Sequence, residues 1–158
     1  MKSIKQSTAS ASFIKIGALI GISASLLFII LVVINGFLYS GYSHLTNFMS
    51  DLGAIEAPYP YIQRINFFQF GSGILILAIV TYKAIEKPSV LVLVVQLIIG
   101  IGIFLSGIFP GHSNDPDSYE SFLHNLVGLP AFLAIIVTPL LSGFLFRNIE
   151  RWRNLYLY

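Results

Sequence analysis

The stretch IGALIGISASLLFIILVVINGFLY, residues 16–39, decides the fold because its 24 positions hold no charged residue. A helix rises about 1.5 Å per residue, so a run of this length crosses the roughly 30 Å hydrocarbon core of a bilayer. Further apolar runs occupy residues 65–82, 89–109 and 121–146. The sequence therefore predicts an all-α integral membrane protein with four transmembrane helices, forming a single membrane domain over residues 1–158.

The composition supports this class and excludes several others. Hydrophobic residues make up 56% of the 158 positions and charged residues 10%, whereas a soluble domain averages about 25% charged residues. The formal net charge of +2 is too small to predict a nucleic-acid partner. Cysteine is absent, so disulfides, thiolate metal sites and iron–sulfur clusters are excluded. The expected partner is the lipid bilayer.

The distribution of basic residues predicts the orientation of the spans. Only Arg64 lies in the connections at one side, and the other eight basic residues flank the opposite ends: Lys2, Lys5, Lys15, Lys83, Lys87, Arg147, Arg151 and Arg153. Because basic residues concentrate on the cytoplasmic side, both termini are predicted to be cytoplasmic in a multi-pass protein of the cell membrane. Residues 40–64 and 110–120 would then lie outside. The first apolar run is too long for a cleavable signal, so it should remain as an anchor.

The first outer loop is too apolar for a free linker. Apolar residues recur in it at roughly helical spacing: Tyr42, Leu45, Phe48, Met49 and Leu52. This pattern predicts a short amphipathic helix at the outer membrane interface, ended by Gly53. Ser50 and Asp51 would then lie near the mouth of the helical bundle. Asp51 could face His124 or Arg64. The alternative is that the segment SDLG forms a polar turn.

The segment DSYE, residues 117–120, matches a capping box at the start of the fourth span. Asp117 is placed to accept a hydrogen bond from the backbone N–H of Glu120, and the Glu120 carboxylate can reach back to the Asp117 N–H. Both negative charges favour a helix start. The pattern therefore predicts a structural role for the two acids.

His124 is the residue that this capping pattern leaves unexplained. If the fourth span begins near residue 118, His124 lies about 9 Å along the helix, inside the outer edge of the membrane. Gly128 and Ala131 share its helical face, and small residues mark the side where another helix approaches. We therefore expect His124 to point into the bundle. It is either a functional residue, as intramembrane ionisable groups often are, or a structural hydrogen-bonding residue.

Polar residues in the other spans concentrate toward their outer ends. The candidates to share a pocket with His124 are Ser50, Asp51, Asn66, Gln69, Ser106 and Asn125. Of the intramembrane Asn, Gln and His residues, only Gln96 falls toward the cytoplasmic half. This asymmetry predicts a polar pocket that opens outward. The alternative is hydrogen bonding between helices, combined with close packing at small residues such as Gly17, Gly21 and Ser25.

Three motifs carry a resemblance to a known family. They are SDLGA followed by a proline and an Asn in the second span, GIFPG closing the third span, and LHNLVG opening the fourth. These motifs resemble the membrane family called domain of unknown function 998 and, more distantly, the damage-regulated autophagy modulators. The resemblance covers nearly the whole chain and implies a six-helix membrane fold with no established activity. The matching positions are Ser50, Asp51, Gly53, Pro58, Asn66, Gly107, Pro110 and His124.

The sequence resembles the first two-thirds of such a six-helix bundle. Four spans are followed by RNIERWRNLYLY, in which LYLY reads as the beginning of a fifth helix, so the chain looks truncated. Four spans of a larger bundle would leave small and polar helix faces without partners. We therefore expect self-association or association with a partner membrane protein.

Three classes of function are compatible with these features. The first is binding of a lipid or small amphiphile in the outward pocket, which requires no cofactor. The second is a metal-dependent membrane hydrolase, in which His44, His112, His124 and Asp51 hold zinc and activate a water. The third is a transport or assembly subunit. Binding is the preferred hypothesis, because the sequence has no His-x-x-x-His pair and shows no inverted repeat.

Overall fold

The computed structural model describes residues 8–85 and 89–146. It contains the helices α1 (Thr8–Leu38), α2 (Pro60–Ala84), α3 (Val90–Ile108) and α4 (Tyr119–Phe146), with a 3₁₀ helix (Met49–Gly53) between α1 and α2. These described ranges contain no strand. All four α-helices are long and apolar enough to cross a membrane. The predicted all-α class with four spans is confirmed.

The helix ends differ from the predicted spans mainly at two N-termini. α1 begins at Thr8 instead of residue 16, and α2 begins at Pro60 instead of residue 65. An apolar run marks only the part of a helix that suits hydrocarbon, and the helix continues into its polar flank. Pro60 occupies the first turn of α2, where a missing backbone N–H costs no helical hydrogen bond.

Successive helices pack against one another, and glycines allow α2 and α3 to touch. A Cβ atom at Gly71 of α2 would lie 2.6 Å from the backbone nitrogen of Phe104 and 2.7 Å from the carbonyl oxygen of Gly100. On the other side of α3, a Cβ atom at Gly102 would lie 2.7 Å from the Cβ of Ala131 in α4. Backbone contact at these glycines therefore fixes the order of the bundle.

The small residues of α1 pack directly on α2. A Cβ atom at Gly21 would lie 2.9 Å from the Cβ of Leu77, and one at Gly17 would clash with the side chain of Val80. Ser25, the third member of this predicted ladder, donates its hydroxyl to the carbonyl oxygen of Gly21 within α1. Gly17 and Gly21 therefore serve close helix packing, as their spacing predicts.

Amide side chains add hydrogen bonds between α1 and α2. The buried Asn66 donates to the carbonyl oxygen of Phe28 at 3.0 Å. Gln69 donates to the carbonyl oxygen of Ala24 at 3.2 Å and to the side-chain oxygen of Asn66 at 2.8 Å. Since hydrocarbon offers no hydrogen-bond partner, these bonds satisfy polar groups that would otherwise be costly to bury.

The helix in the first connection is shorter than the apolar spacing suggested. It is one 3₁₀ segment, Met49–Gly53, and an amphipathic helix at the membrane interface stays a prediction. Leu52 is buried in the protein, and its carbonyl oxygen accepts a hydrogen bond from Asn35 at 3.4 Å. Arg64 also reaches this segment and donates from Nε to the carbonyl oxygen of Gly53 at 2.9 Å. The segment is therefore held against α1 and α2.

The predicted capping box at the start of α4 is wrong by one residue. The hydroxyl of Ser118 accepts from the backbone N–H of Ser121 at 3.2 Å, which is the N-cap geometry. Ser118 also donates to the carbonyl oxygen of Asp115 at 2.8 Å. Asp117 is exposed and precedes the cap. The serine takes the capping position because its hydroxyl both donates to the preceding turn and accepts from the helix.

The two connections at residues 39–59 and 109–118 meet at one end of the bundle, which we name the loop end. Ile55 N–H donates to the carbonyl oxygen of Gly111 at 3.1 Å, joining them. At the opposite end, Lys83 Nζ lies 5.1 Å from the centre of the Phe13 ring. Six of the basic residues that predict the orientation lie outside the described residues: Lys2, Lys5, Lys87, Arg147, Arg151 and Arg153. The cytoplasmic position of the termini stays a prediction.

Candidate polar cavity at the loop end

A cavity of about 360 Å³ lies at the loop end, between the first connection and the start of α4. Its wall is formed by polar residues and a few apolar ones: Thr46, Asn47, Phe48, Ser50, Asp51, Ala54, Gly111, His112, Ser113, Pro116, Ser121, His124 and Asn125. We name this space the loop cavity. It brings together five of the predicted site residues, namely Ser50, Asp51, His112, His124 and Asn125.

His124 is fixed in the wall of the loop cavity by one ring nitrogen. Its Nδ1 lies 2.7 Å from the carbonyl oxygen of Phe109, the residue that caps α3. Because a carbonyl oxygen can only accept, Nδ1 carries the proton. In the tautomer with this single proton Nε2 is a hydrogen-bond acceptor, and no described residue donates to it. His124 thus joins α4 to the end of α3 and keeps a free polar atom.

The helical face of His124 is directed into the bundle, as predicted. Ala131, two turns further along α4, is buried. A Cβ atom at Gly128 would lie 3.3 Å from the Ser106 hydroxyl oxygen of α3 and 4.0 Å from His124 Nε2. The small residues on this face therefore mark the contact of α4 with α3.

Asp51 enters the loop cavity from the 3₁₀ helix. Its Oδ2 accepts from the backbone N–H of Phe48 at 3.0 Å, which closes the first turn of that helix. Its other carboxylate oxygen accepts from no donor in residues 8–85 and 89–146. Arg64 forms no ion pair with Asp51 in the described structure, and its Nε donates to the carbonyl oxygen of Gly53. Asp51 therefore shares the cavity with His124, one of its two predicted neighbours.

A carboxylate clamp holds the two connections together beside the loop cavity. Glu56 Oε1 lies 2.7 Å from His112 Nδ1, and Glu56 Oε2 accepts from the backbone N–H of Ser113 at 3.2 Å. His112 Nε2 lies 3.9 Å from Glu120 Oε2. The backbone N–H of His112 donates to the Ser121 hydroxyl at 2.9 Å. The clamp therefore ties the first connection to the segment that leads into α4.

The clamp shifts the pKa values of both His112 and Glu56. The hydrogen bond to Glu56 raises the pKa of His112 and outweighs partial burial, and the negative charges of Glu56, Glu120 and Asp115 act in the same direction. Partial burial opposes ionisation of Glu56, but hydrogen bonds from His112 and from backbone N–H groups lower its pKa overall. The charged pair is therefore the favoured form of the clamp.

We expect the clamp to be strongest between about pH 4.5 and 6.5, the ordinary pKa values of its two partners. A raised histidine pKa stabilises the folded state below 6.5, and this contribution is lost as pH rises through the raised value. A lowered carboxylate pKa stabilises above 4.5 and is lost as pH falls through the lowered value. Hydrogen exchange at the amide of Ser113, corrected for its intrinsic rate, should accelerate above the window in the wild type and show no such step in His112→Gln. Equal pH profiles in both proteins would contradict the clamp.

The other predicted pocket residues lie away from this wall. Ser106 donates to the carbonyl oxygen of Gly102 at 2.9 Å within α3. Asn66 and Gln69 bond to α1, and Gln69 lines a separate groove of about 550 Å³ between α1 and α2. The hydrogen bonds of Asn66 and Gln69 match the alternative to a polar pocket, in which amide side chains connect neighbouring helices.

His44, one of the four residues predicted for zinc, packs outside the loop cavity. Its ring centre lies 4.9 Å from that of Tyr42 and 6.4 Å from that of Phe37, in edge-on contacts. Residues 8–85 and 89–146 contain no group of three or more His, Cys, Asp or Glu side chains arranged to hold a metal ion. A zinc site made of His44, His112, His124 and Asp51 would require the first connection to rearrange.

Two polar features of the loop end were not anticipated from the sequence. The partners Glu56 and His112 are 56 positions apart, so no local spacing signals their pairing. Asn47 accepts from the backbone N–H of Ser43 at 3.0 Å and organises the turn before the 3₁₀ helix. The segment YSHLTN does contain turn-forming Ser and Asn residues, which was the available signal for this turn.

The family model described as "Protein of unknown function (DUF998)" matches residues 22–158. This match includes α2, α3, α4 and every residue of the loop cavity. No curated protein and no solved structure matches the chain.

Proposed function

Since the chain belongs to the DUF998 family of proteins of unknown function, we propose its function from the loop cavity: it binds the polar head of a lipid or small amphiphile whose tail lies in the membrane. If the basic residues are cytoplasmic, as predicted, this cavity opens on the outer side of the membrane.

The observation that carries this proposal is a polar cavity beside exposed apolar side chains, at the end of four apolar helices. Phe48 lines the cavity and is 78% exposed, and the nearby Leu45 is 95% exposed. On α4, the exposed Asn125 lines the cavity, and Phe122 and Leu129 are exposed on the same helix. An amphiphile placed here has polar contacts for its head and apolar surroundings for its tail.

The size of the loop cavity supports binding of a head group. Small-molecule sites span roughly 300–1,000 Å³, and the loop cavity is near the lower limit at about 360 Å³. Its volume equals that of roughly a dozen water molecules, at about 30 Å³ each. This space suits a compact polar group, and an acyl chain would have to leave it along the helices.

Filling the loop cavity should release a bound amphiphile. Asn125→Trp adds a large side chain at an exposed position of the wall, and tryptophan is well tolerated at membrane interfaces. We expect lipid that co-purifies with the wild type in stoichiometric amount, measured by mass spectrometry of extracts, to fall about tenfold in this variant.

The matched control is Leu129→Trp, one turn further along α4, where the native side chain is 57% exposed and lies outside the cavity. This variant should retain lipid at the wild-type level. Equal retention in Asn125→Trp and Leu129→Trp would show that lipid binds elsewhere and would reject the proposal.

A further inference from the structure

We infer that the loop cavity selects an amphiphile whose head group is a protonated amine. This inference rests on the proposed function and adds the chemical class of the head group. It follows from the hydrogen-bonding roles that the cavity wall leaves open.

Two ionisable side chains of the wall, Asp51 and His124, keep a free atom that can accept a hydrogen bond, and the third, His112, has its Nδ1 on Glu56 and its Nε2 3.9 Å from Glu120. Asp51 Oδ2 accepts a hydrogen bond from the backbone N–H of Phe48, and its second carboxylate oxygen has no donor among the described residues. His124 Nδ1–H donates to the carbonyl oxygen of Phe109, so in the tautomer that carries this single proton Nε2 is a hydrogen-bond acceptor. A ligand that satisfies both atoms must bring hydrogens, and an alkylammonium group carries three N–H donors.

Apart from His124, the one basic side chain among the described residues of the cavity wall is His112, which is already balanced by a carboxylate. His112 is balanced by Glu56 at 2.7 Å and by the more distant Glu120. Arg64 is not part of the wall, and its guanidinium donates to the backbone of Gly53. Within the described ranges no unpaired cation lines the cavity to meet a phosphate or carboxylate, and Asp51 would repel such a group.

Uncharged residues of the cavity wall can also contact a cation. Ser50 and Asn125 line the cavity and offer side-chain oxygens that can accept the third ammonium hydrogen. The exposed ring of Phe48 belongs to the same wall, and an aromatic face attracts an ammonium group. The cavity therefore combines a negative charge, neutral acceptors and an aromatic surface.

The test compares head groups on one tail and tails on one head group. Octylamine, octanol, octanoate and propylamine are titrated calorimetrically into the full chain in neutral maltoside micelles. The heat measured with the filled-cavity variant Asn125→Trp is subtracted, which removes partition into the micelle. We expect octylamine to bind about tenfold or more tightly than octanol or octanoate, because hydrogen bonds to charged groups are the stronger ones.

Two acid variants separate the cavity from general surface charge. Asp51→Asn should reduce the preference for octylamine over octanol to within about threefold, since it removes the charge and keeps the shape. Asp117→Asn removes an exposed acid that does not line the cavity and should leave the preference unchanged. An equal loss in both variants would mean that surface charge attracts the amine, which overturns the inference.

The remaining outcomes distinguish the inference from the proposed function. Octanol or octanoate binding as tightly as octylamine would overturn the amine inference and leave amphiphile binding in place. Propylamine binding as tightly as octylamine would show that the tail contributes nothing, which overturns amphiphile binding. If no probe binds the wild type more tightly than it binds Asn125→Trp, both are rejected.

Discussion

Replacing Gly71 with leucine should prevent the bundle from folding. A Cβ atom at this position would already lie 2.6 Å from the backbone nitrogen of Phe104 and 2.7 Å from the carbonyl oxygen of Gly100. Backbone atoms cannot rotate away as a flexible side chain can, so α2 and α3 must separate. Alanine alone should cost about 1–3 kcal/mol by overpacking, and leucine adds three more carbons at the same contact.

The measurement is the fraction of monodisperse protein in mild detergent, followed by its unfolding transition. Gly128→Ala is the matched control, because its Cβ would lie 3.3 Å from the hydroxyl oxygen of Ser106. That contact can relax, and the control should stay within about 1 kcal/mol of the wild type once the gain in helix propensity is included. A folded, wild-type-like Gly71→Leu would contradict the close α2–α3 packing.

The span positions could be predicted from the sequence because one physical constraint determines them. A charge-free run as long as residues 16–39 must form a helix to satisfy its backbone in lipid. The partners of each helix could not be predicted with the same certainty. Gly17 and Gly21 stand in a regular small-residue pattern, whereas Gly71, Gly100 and Gly102 reveal their role only when the facing helix is known.

The candidate site was only partly predictable. His124 and Asp51 attract notice because a polar group near hydrocarbon needs a partner, and both line the loop cavity. The role of Asn66 was open, because an amide in a span can face a ligand or bond to the next helix, and it donates to Phe28 of α1. The pairing of Glu56 with His112 depends on how the two connections fold over each other. The spacing of residues in the sequence does not indicate such contacts.

The second prediction with a large expected effect separates the roles of the two ring nitrogens of His124 in stability and in binding. Asparagine places an amide N–H close to the position of Nδ1, so His124→Asn can keep the hydrogen bond to the carbonyl oxygen of Phe109. It has no atom at the position of Nε2. We therefore expect the free energy of unfolding to change by less than about 1 kcal/mol, while amphiphile binding weakens about tenfold because its acceptor is lost.

His124→Leu provides the complementary comparison. Leucine removes both nitrogens and leaves the carbonyl oxygen of Phe109 without this donor, so a modest loss of stability of about 0.5–1.5 kcal/mol should accompany the loss of binding. The two variants should thus differ in their free energy of unfolding and show the same loss of amphiphile binding. Full binding in His124→Asn would assign His124 a structural role through Nδ1 alone.

The most direct test of the proposed binding site is the amount of lipid retained per protein by the wild type and His124→Asn, measured together with their unfolding transitions. We predict stoichiometric lipid in the wild type, about a tenth of that amount in the variant, and unfolding transitions that coincide once lipid has been extracted from both proteins. Wild-type lipid retention in a stably folded His124→Asn, or a loss of lipid that only parallels a loss of stability, would contradict a head-group site in the loop cavity.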